Sequence, residues 1–180
     1  MKMLSLLFLA ALYAQSGYTQ VYQTKNGYLG FFSKTPLEDI RAENHQVYGV
    51  INLGDHSLSV ACLLKGFLFT KALMQEHFNE NYIESDKFPR ASFSGTYSGG
   101  ADSGKNGIYP VRVSGQLTLH GITRPIDVPG SVEVSAGKVT CSASFSLLPD
   151  DFNISIPSLV RDKIARQIDV HIILECYAKQ

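Results

Sequence analysis

Apolar and polar residues alternate along most of this chain with a period of two. Val111, Val113, Gly115, Leu117 and Leu119 share one phase, and Arg112, Ser114, Gln116, Thr118 and His120 share the other. Val139, Cys141, Ala143, Phe145 and Leu147 oppose Thr140, Ser142, Ser144 and Ser146, and Ile168, Val170, Ile172 and Leu174 oppose Asp169, His171 and Glu175. Such segments form strands with one dry face and one wet face. Turn signals separate them at short intervals. Asn26-Gly27 divides Thr19–Gln23 from Tyr28–Ser33 in the manner of a hairpin. Leu53-Gly54-Asp55-His56 divides Val47–Leu53 from Leu58–Phe69. The loop Ser98–Gly107 divides Ala91–Tyr97 from Tyr109–Leu119, and Ala136-Gly137-Lys138 divides Ile126–Val134 from Val139–Leu147. A last strand covers about residues 168–176. The pattern predicts an all-β sandwich or barrel of about eight or nine short antiparallel strands.

Leu58–Phe69 breaks the alternation, because it is apolar on both phases. A strand buried on both faces needs a cover on its outside. The expected cover is the helical segment Lys71–Ile83, where Met74, Phe78 and Tyr82 recur at every fourth position. A second short helix is expected over Ser158–Ile164, after Pro157. On the dry faces, Gly115, Gly130, Cys141 and Ala143 stand among large residues. A closed barrel with small inward residues can leave lumen space for an apolar ligand. Filling of those gaps by neighbouring large side chains is the alternative that the pattern leaves open.

The chain starts MKMLSLLFLAALYAQSGYTQ. A basic Lys2, an apolar run from Leu4 to Leu12 broken only by Ser5, and small residues after it read as a secretory leader over residues 1–20, cleaved near Ala14 or Gln20. The run is too short to span a bilayer as a helix. No cysteine precedes Cys62, which argues against a lipid-anchored lipoprotein. The expectation is an exported protein, periplasmic or secreted, with one domain over residues 21–180. Sixteen basic residues balance sixteen acidic ones. Loss of Lys2 leaves a mature net charge of about −1 by the same bookkeeping. That balance lacks the basic footprint of a nucleic-acid binder and gives no attraction to anionic membranes. No later segment is long enough for stable membrane insertion as a helix. Cys62, Cys141 and Cys176 fall at apolar positions without a CxxC, so they read as small core residues, and at most one bridge can form.

Candidate chemistry is sparse. SGGADSGKNG, residues 98–107, imitates phosphate-loop spacing, but Asn106 stands where Ser or Thr would hold magnesium, and a strand follows where a helix should begin. It reads as a hairpin loop, and no cofactor motif occurs elsewhere. His77 and Glu80 could share a helix face as metal ligands but lack a third partner. Asp150 and Asp151 read as a turn or cap, and no G-x-S-x-G elbow is present. His120-Gly121 lies where the chain must reverse, a structural role that glycine and histidine tolerate. An enzyme or metal protein using His120, His77 or Asp151 stays as one alternative. A partner-binding module presenting Leu58–Phe69 and Met74–Tyr82 is another. The sequence also leaves a homodimer open.

Three segments in order carry a family resemblance. GQLTLHGITRPIDV resembles the strand–turn–strand of the YceI-like family, secreted polyisoprenoid-binding proteins with a lipocalin-like barrel. ESDKFPRASFSGTY, with Phe88, Pro89 and Phe93, and FSLLPDDFNISIP, with Asp151-Phe152-Asn153-Ile154, are similar to two further segments of that family. The likeness spans about Val21 to Glu175. It implies an antiparallel barrel that holds a long apolar chain in its lumen, a polyisoprenoid or a related isoprenoid or fatty amide, without catalysis. LMQEHFNENYIESDKFP and the apolar Leu58–Phe69 depart from the family pattern. The lumen is expected to include Val113, Leu117, Val128, Val132, Ala143, Phe145, Val170 and Ile172.

Overall fold

The alternating segments form nine strands: β1 (Val21–Lys34), β2 (Asp39–Asn52), β3 (Ser57–Leu63), β4 (Leu68–Phe69), β5 (Arg90–Ser98), β6 (Gly107–Leu119), β7 (Ile122–Ser135), β8 (Lys138–Leu147) and β9 (Ile168–Ala178). A computed structural model describes residues 20–102 and 104–179. The export leader expected at the N-terminus lies outside the described residues, apart from Gln20. All strand pairs are antiparallel, and the order β1-β9-β8-β7-β6-β5-β3-β2 closes on itself through β1–β2. The result is an eight-stranded lipocalin-like barrel, with β4 as a two-residue extra rung on β2. Outward positions carry polar pairs. Arg112 Nε lies 2.8 Å from Asp127 Oδ1, and Lys138 Nζ lies 3.2 Å from Glu175 Oε1. This polar exterior and apolar interior invert the pattern of a barrel that faces lipid.

Four local expectations are corrected. Asn26-Gly27 is not a hairpin but a bulge inside β1, where the register to β2 slips between Thr24 and Gly27 and again before Leu29. The segments on either side of it run along the same partner strand, so no reversal can occur. The real reversal is at Thr35–Glu38, where the Thr35 hydroxyl accepts from the Glu38 amide at 3.0 Å. Second, β2 begins at Asp39, well before Val47, a start that apolar alternation does not mark because the inward phase there includes a polar residue. Asn44 is fully buried and donates through Nδ2 to the Leu63 carbonyl at 2.9 Å.

Third, Leu58–Phe69 is not a strand covered on both faces. A 3-10 turn at Leu64–Gly66 shifts its phase by one residue, so Leu58, Cys62, Leu64 and Phe67 are all buried, while Leu63 and Leu68 are exposed. Helix α1 (Ala72–His77) and the wider π-type turn Phe78–Tyr82 therefore cover no outer face. They lie at the barrel end, where Phe78 meets Phe31, Phe67 and Phe69 with ring centroids 5.1–5.7 Å apart. The second short helix expected after Pro157 is present as a 3-10 helix, Ser158–Lys163. Fourth, His120, which alternation assigns to the wet face, is buried.

The interior is filled unevenly. Near the turns at 53–56 and 136–137, Ile51, Leu53, Val132, Val134, Val139, Leu174 and Cys176 are all buried. Toward the end that holds α1, Phe31, Phe69, Phe78, Leu117 and Phe145 are only half-buried, although Leu64 and Phe67 stay buried. In the β7–β8 turn both central residues are left-handed, Ala136 at φ +43° and Gly137 at φ +83°. Alanine tolerates that region poorly, whereas Asn-Gly is the preferred pair for such a turn. Ala136→Asn should therefore raise stability by about 0.5–1 kcal/mol, seen as a higher urea midpoint with an unchanged m-value.

Candidate functional site: an apolar cavity in the barrel

The half-filled end of the barrel holds an open-mouthed cavity of about 570 Å³, within the roughly 300–1,000 Å³ range of small-molecule sites. All eight residues that alternation assigns to the lumen, Val113, Leu117, Val128, Val132, Ala143, Phe145, Val170 and Ile172, line it. They come from β6, β7, β8 and β9, and each stands on the inward phase of its strand. Buried Ile51, Leu58, Tyr97, Val111, Cys141 and Leu174 form the floor with Val132. Aromatic residues that sequence reasoning missed, Phe31, Phe67, Phe69 and Phe78, crowd the opposite end. Their signal was the doubled phase of Leu58–Phe69, which marked a barrel end and not a sandwiched strand. At the rim, Lys71 Nζ lies 2.7 Å from Glu38 Oε1. The hydrogen bond from Lys71, aided by the charges of Lys71 and Lys163, holds the Glu38 carboxyl below its ordinary range.

Small inward residues divide into two kinds. Ala143 borders the cavity, and Gly130 lies beside it, 3.6 Å from Ala143 Cβ if given its own Cβ. Gly115 faces Gly95 across β5 and β6, and a Cβ at either would sit 2.7 Å from Phe93 Cζ. At Gly115 a neighbouring ring takes the space, so that glycine makes no void. The wall itself is incomplete in one place. The β7–β8 ladder covers only Gly130–Ser135 against Lys138–Ala143. Residues 122–129 of β7 include Pro125 and Pro129, which have no N–H to offer a neighbour. The chain after β8 packs against this stretch, and Arg124 Nε donates to the Asp151 carbonyl at 3.0 Å. Val128 and Phe145 flank the parting from inside.

His120 stands outside the cavity lining and ties the loops at that end together. It sits at φ +50° and Gly121 at φ +73°, forming the β6–β7 turn. Its Nδ1 is 3.0 Å from the Phe152 carbonyl and its Nε2 is 3.0 Å from Glu84 Oε2. The ring thus bridges a backbone carbonyl and a carboxylate from two different loops. Phe88 packs edge-on against the ring at 4.4 Å. A Cβ at residue 121 would lie 2.6 Å from Phe88 Cε1. His77 belongs instead to the cavity rim, and Asp151 takes part through its backbone carbonyl. The three histidine and aspartate candidates are not brought together. Among the described residues no three His, Cys, Asp or Glu side chains cluster closely enough to share a metal ion.

A closed antiparallel barrel with an apolar cavity and a polar exterior places the chain in the lipocalin-like class of β-barrels. Within that class the chain belongs to the YceI-like domain family, whose pattern matches residues 22–176. A polyisoprenoid binding domain from Saccharophagus degradans superimposes with a TM-score of 0.76 at 16% identity, covering 89% of this chain and 99% of that one. BcnA of Burkholderia cenocepacia gives 0.69 at 15% identity, covering 83% and 95%. The YCEI protein of Campylobacter jejuni gives 0.61 at 14%, covering 77% and 85%. At such identities these likenesses show a shared fold. No curated protein matches the sequence.

Two predictions follow from the groups around the site. The hydrogen bond from His120, with smaller help from Lys87, holds the Glu84 carboxyl below its ordinary value of 4.5. A depressed folded-state pKa contributes stability above about pH 4.5 that is lost as pH falls through the folded value. Thermal unfolding of the parent should therefore weaken more steeply below about pH 4.5 than that of Glu84→Gln. The thiols give the second test. Burial pushes Cys62 up to about 11 and Cys176 up to about 12, and raises Cys141 as well. Since the thiolate is the reactive species, a charged aromatic disulfide reagent at about pH 8 should leave all three unreacted until denaturant is added.

Proposed function

We propose that this protein binds a long apolar chain, a polyisoprenoid or a related isoprenoid or fatty amide, inside the barrel and carries or sequesters it without turning it over. The observation that carries the reading is the cavity itself, a deep space open at one end whose walls and floor are made almost wholly of hydrocarbon side chains. Water in such a space gains few hydrogen bonds, whereas an alkyl or prenyl chain fills it with dispersion contacts. Burying about 300 Å² of chain would supply about 7 kcal/mol before ordering costs. Selectivity on this reading comes from cavity length and bulk. The rim pair Lys71–Glu38, with Lys163 beside it, is the place where a head group would meet charge.

Family membership supports the reading, as does the fold shared with the Saccharophagus degradans polyisoprenoid binding domain. The N-terminal apolar run after Lys2 supports an exported location, periplasmic or secreted. The carrier reading assigns no reaction to His120, which ties two loops, to His77, which lies at the cavity rim, or to Asp151, which engages Arg124 through its backbone carbonyl.

Neighbouring residues on β8 provide the test. Ala143 lines the cavity, whereas Ser144 points outward, its hydroxyl 2.7 Å from His171 Nδ1. Ala143→Phe should abolish retention of an apolar chain while the barrel still folds, with stability unchanged or higher because the ring enters a void. Ser144→Phe should leave retention intact. Organic extraction and mass spectrometry of both variants and the parent, each purified from its own cells, reads the outcome. Equal lipid content in all three, or none in the parent, overturns the carrier reading.

A further inference from the structure

One polar atom in the cavity floor has nothing to bond to. Tyr97 points inward from β5, is 3% exposed, and lines the cavity. Its hydroxyl has no hydrogen-bond partner in the protein. The ring is fixed from behind, stacked on His56 of the β2–β3 turn with centroids 4.9 Å apart and planes 29° from parallel. Its own amide donates to the His56 carbonyl at 3.0 Å, which pins the strand end beneath it. The rest of the floor, Ile51, Leu58, Val111, Val132 and Leu174, offers hydrocarbon only, and the Cys141 thiol is a weak acceptor. Burial first, then the nearby Cys141 and Asp55, push the phenol up to about 12. It is a neutral donor throughout the physiological range.

A buried hydroxyl left without a partner is unfavourable, and phenylalanine would fill the same space without that cost. We infer that Tyr97 is a specificity-determining residue, and that the ligand carries an acceptor oxygen, a carbonyl or hydroxyl, at its inner end, to which the Tyr97 hydroxyl donates. The inference rests on the reading that the cavity holds an apolar chain. The ligand class is thereby narrowed from any hydrocarbon tail to an oxygenated prenyl or acyl chain that enters with one oxygen leading. A site built to hydrogen-bond such an oxygen discriminates strongly against the analogue that lacks it.

The experiment compares farnesol with the hydrocarbon farnesene, each displacing N-phenyl-1-naphthylamine fluorescence from delipidated parent and from Tyr97→Phe. The parent's preference for farnesol should exceed that of Tyr97→Phe by about tenfold or more, with farnesene binding unchanged or tighter in the variant. Unliganded Tyr97→Phe should melt at or above the parent temperature, since it loses an unpaired hydroxyl. A lower melting temperature means that the hydroxyl has a partner within the fold, and overturns the inference. The same preference in both proteins also overturns it, while leaving the carrier reading intact. Failure of both probes to displace the dye from the parent defeats the carrier reading and this inference with it. A measurement on the parent alone guards against a poorly folded variant. With tyrosine labelled at Cζ, one resonance should shift with farnesol and stay in place with farnesene, and no such difference refutes the assignment.

Discussion

His120 is gripped from both sides, by the Phe152 carbonyl and by the Glu84 carboxylate, each at 3.0 Å. Through those two bonds the β6–β7 turn holds the chain after β8 and the loop before β5, and Phe88 seals the ring from the third side. Three residues other than glycine adopt left-handed backbone at this knot: Glu84 at φ +46°, His120 at φ +50° and Asn153 at φ +54°. Each such conformation costs of order 1 kcal/mol, which the hydrogen bonds to His120 and the packing of Phe88 help offset. The three segments that carry the family resemblance meet here, and the cavity wall hangs from them. The histidine is a fastener for the open end of the barrel.

With that end held apart, the barrel need not collapse on itself. An eight-stranded barrel is just wide enough for side chains to fill, so a void requires local economy in volume. Here the economy is uneven along the axis. Leu174, Val132 and Ile51 close one end, while Ala143 and the half-buried valines of β6, β7 and β9 leave the other hollow. Tyr97 stands at the boundary between the solid and hollow halves, and its hydroxyl is buried there without a partner in the protein.

The exterior follows a separate logic. Cross-strand pairs such as Arg112–Asp127 and Ser144–His171 place polar groups on water-facing positions. Exposed pairs of this kind add little stability. What they secure is strand phase, because a one-residue slip would bring charges into the cavity. An apolar interior inside a polar shell gives a solvent-exposed body with a hydrocarbon-lined store, the arrangement that the proposed carrier role requires.

Strand phase was legible from residues alone. Alternation along β6, β8 and β9 placed Val113, Leu117, Ala143, Phe145, Val170 and Ile172 on the inward face, because a pleated strand must turn successive side chains to opposite sides. The His120-Gly121 reversal was legible for a similar reason, since few residue pairs accept left-handed backbone. What the sequence by itself determined was therefore local: strands, turns and which face is dry. It could not tell the bulge at Asn26-Gly27 from a hairpin, because that choice depends on which strand lies alongside. Nor could it bring Glu84 and Phe152 to His120 across separations of 36 and 32 residues. Only the tertiary structure decided that Gly115 is covered by Phe93 while Ala143 borders a void. Volume inside a closed barrel is shared among side chains from every strand, and no single stretch of sequence records how it is divided.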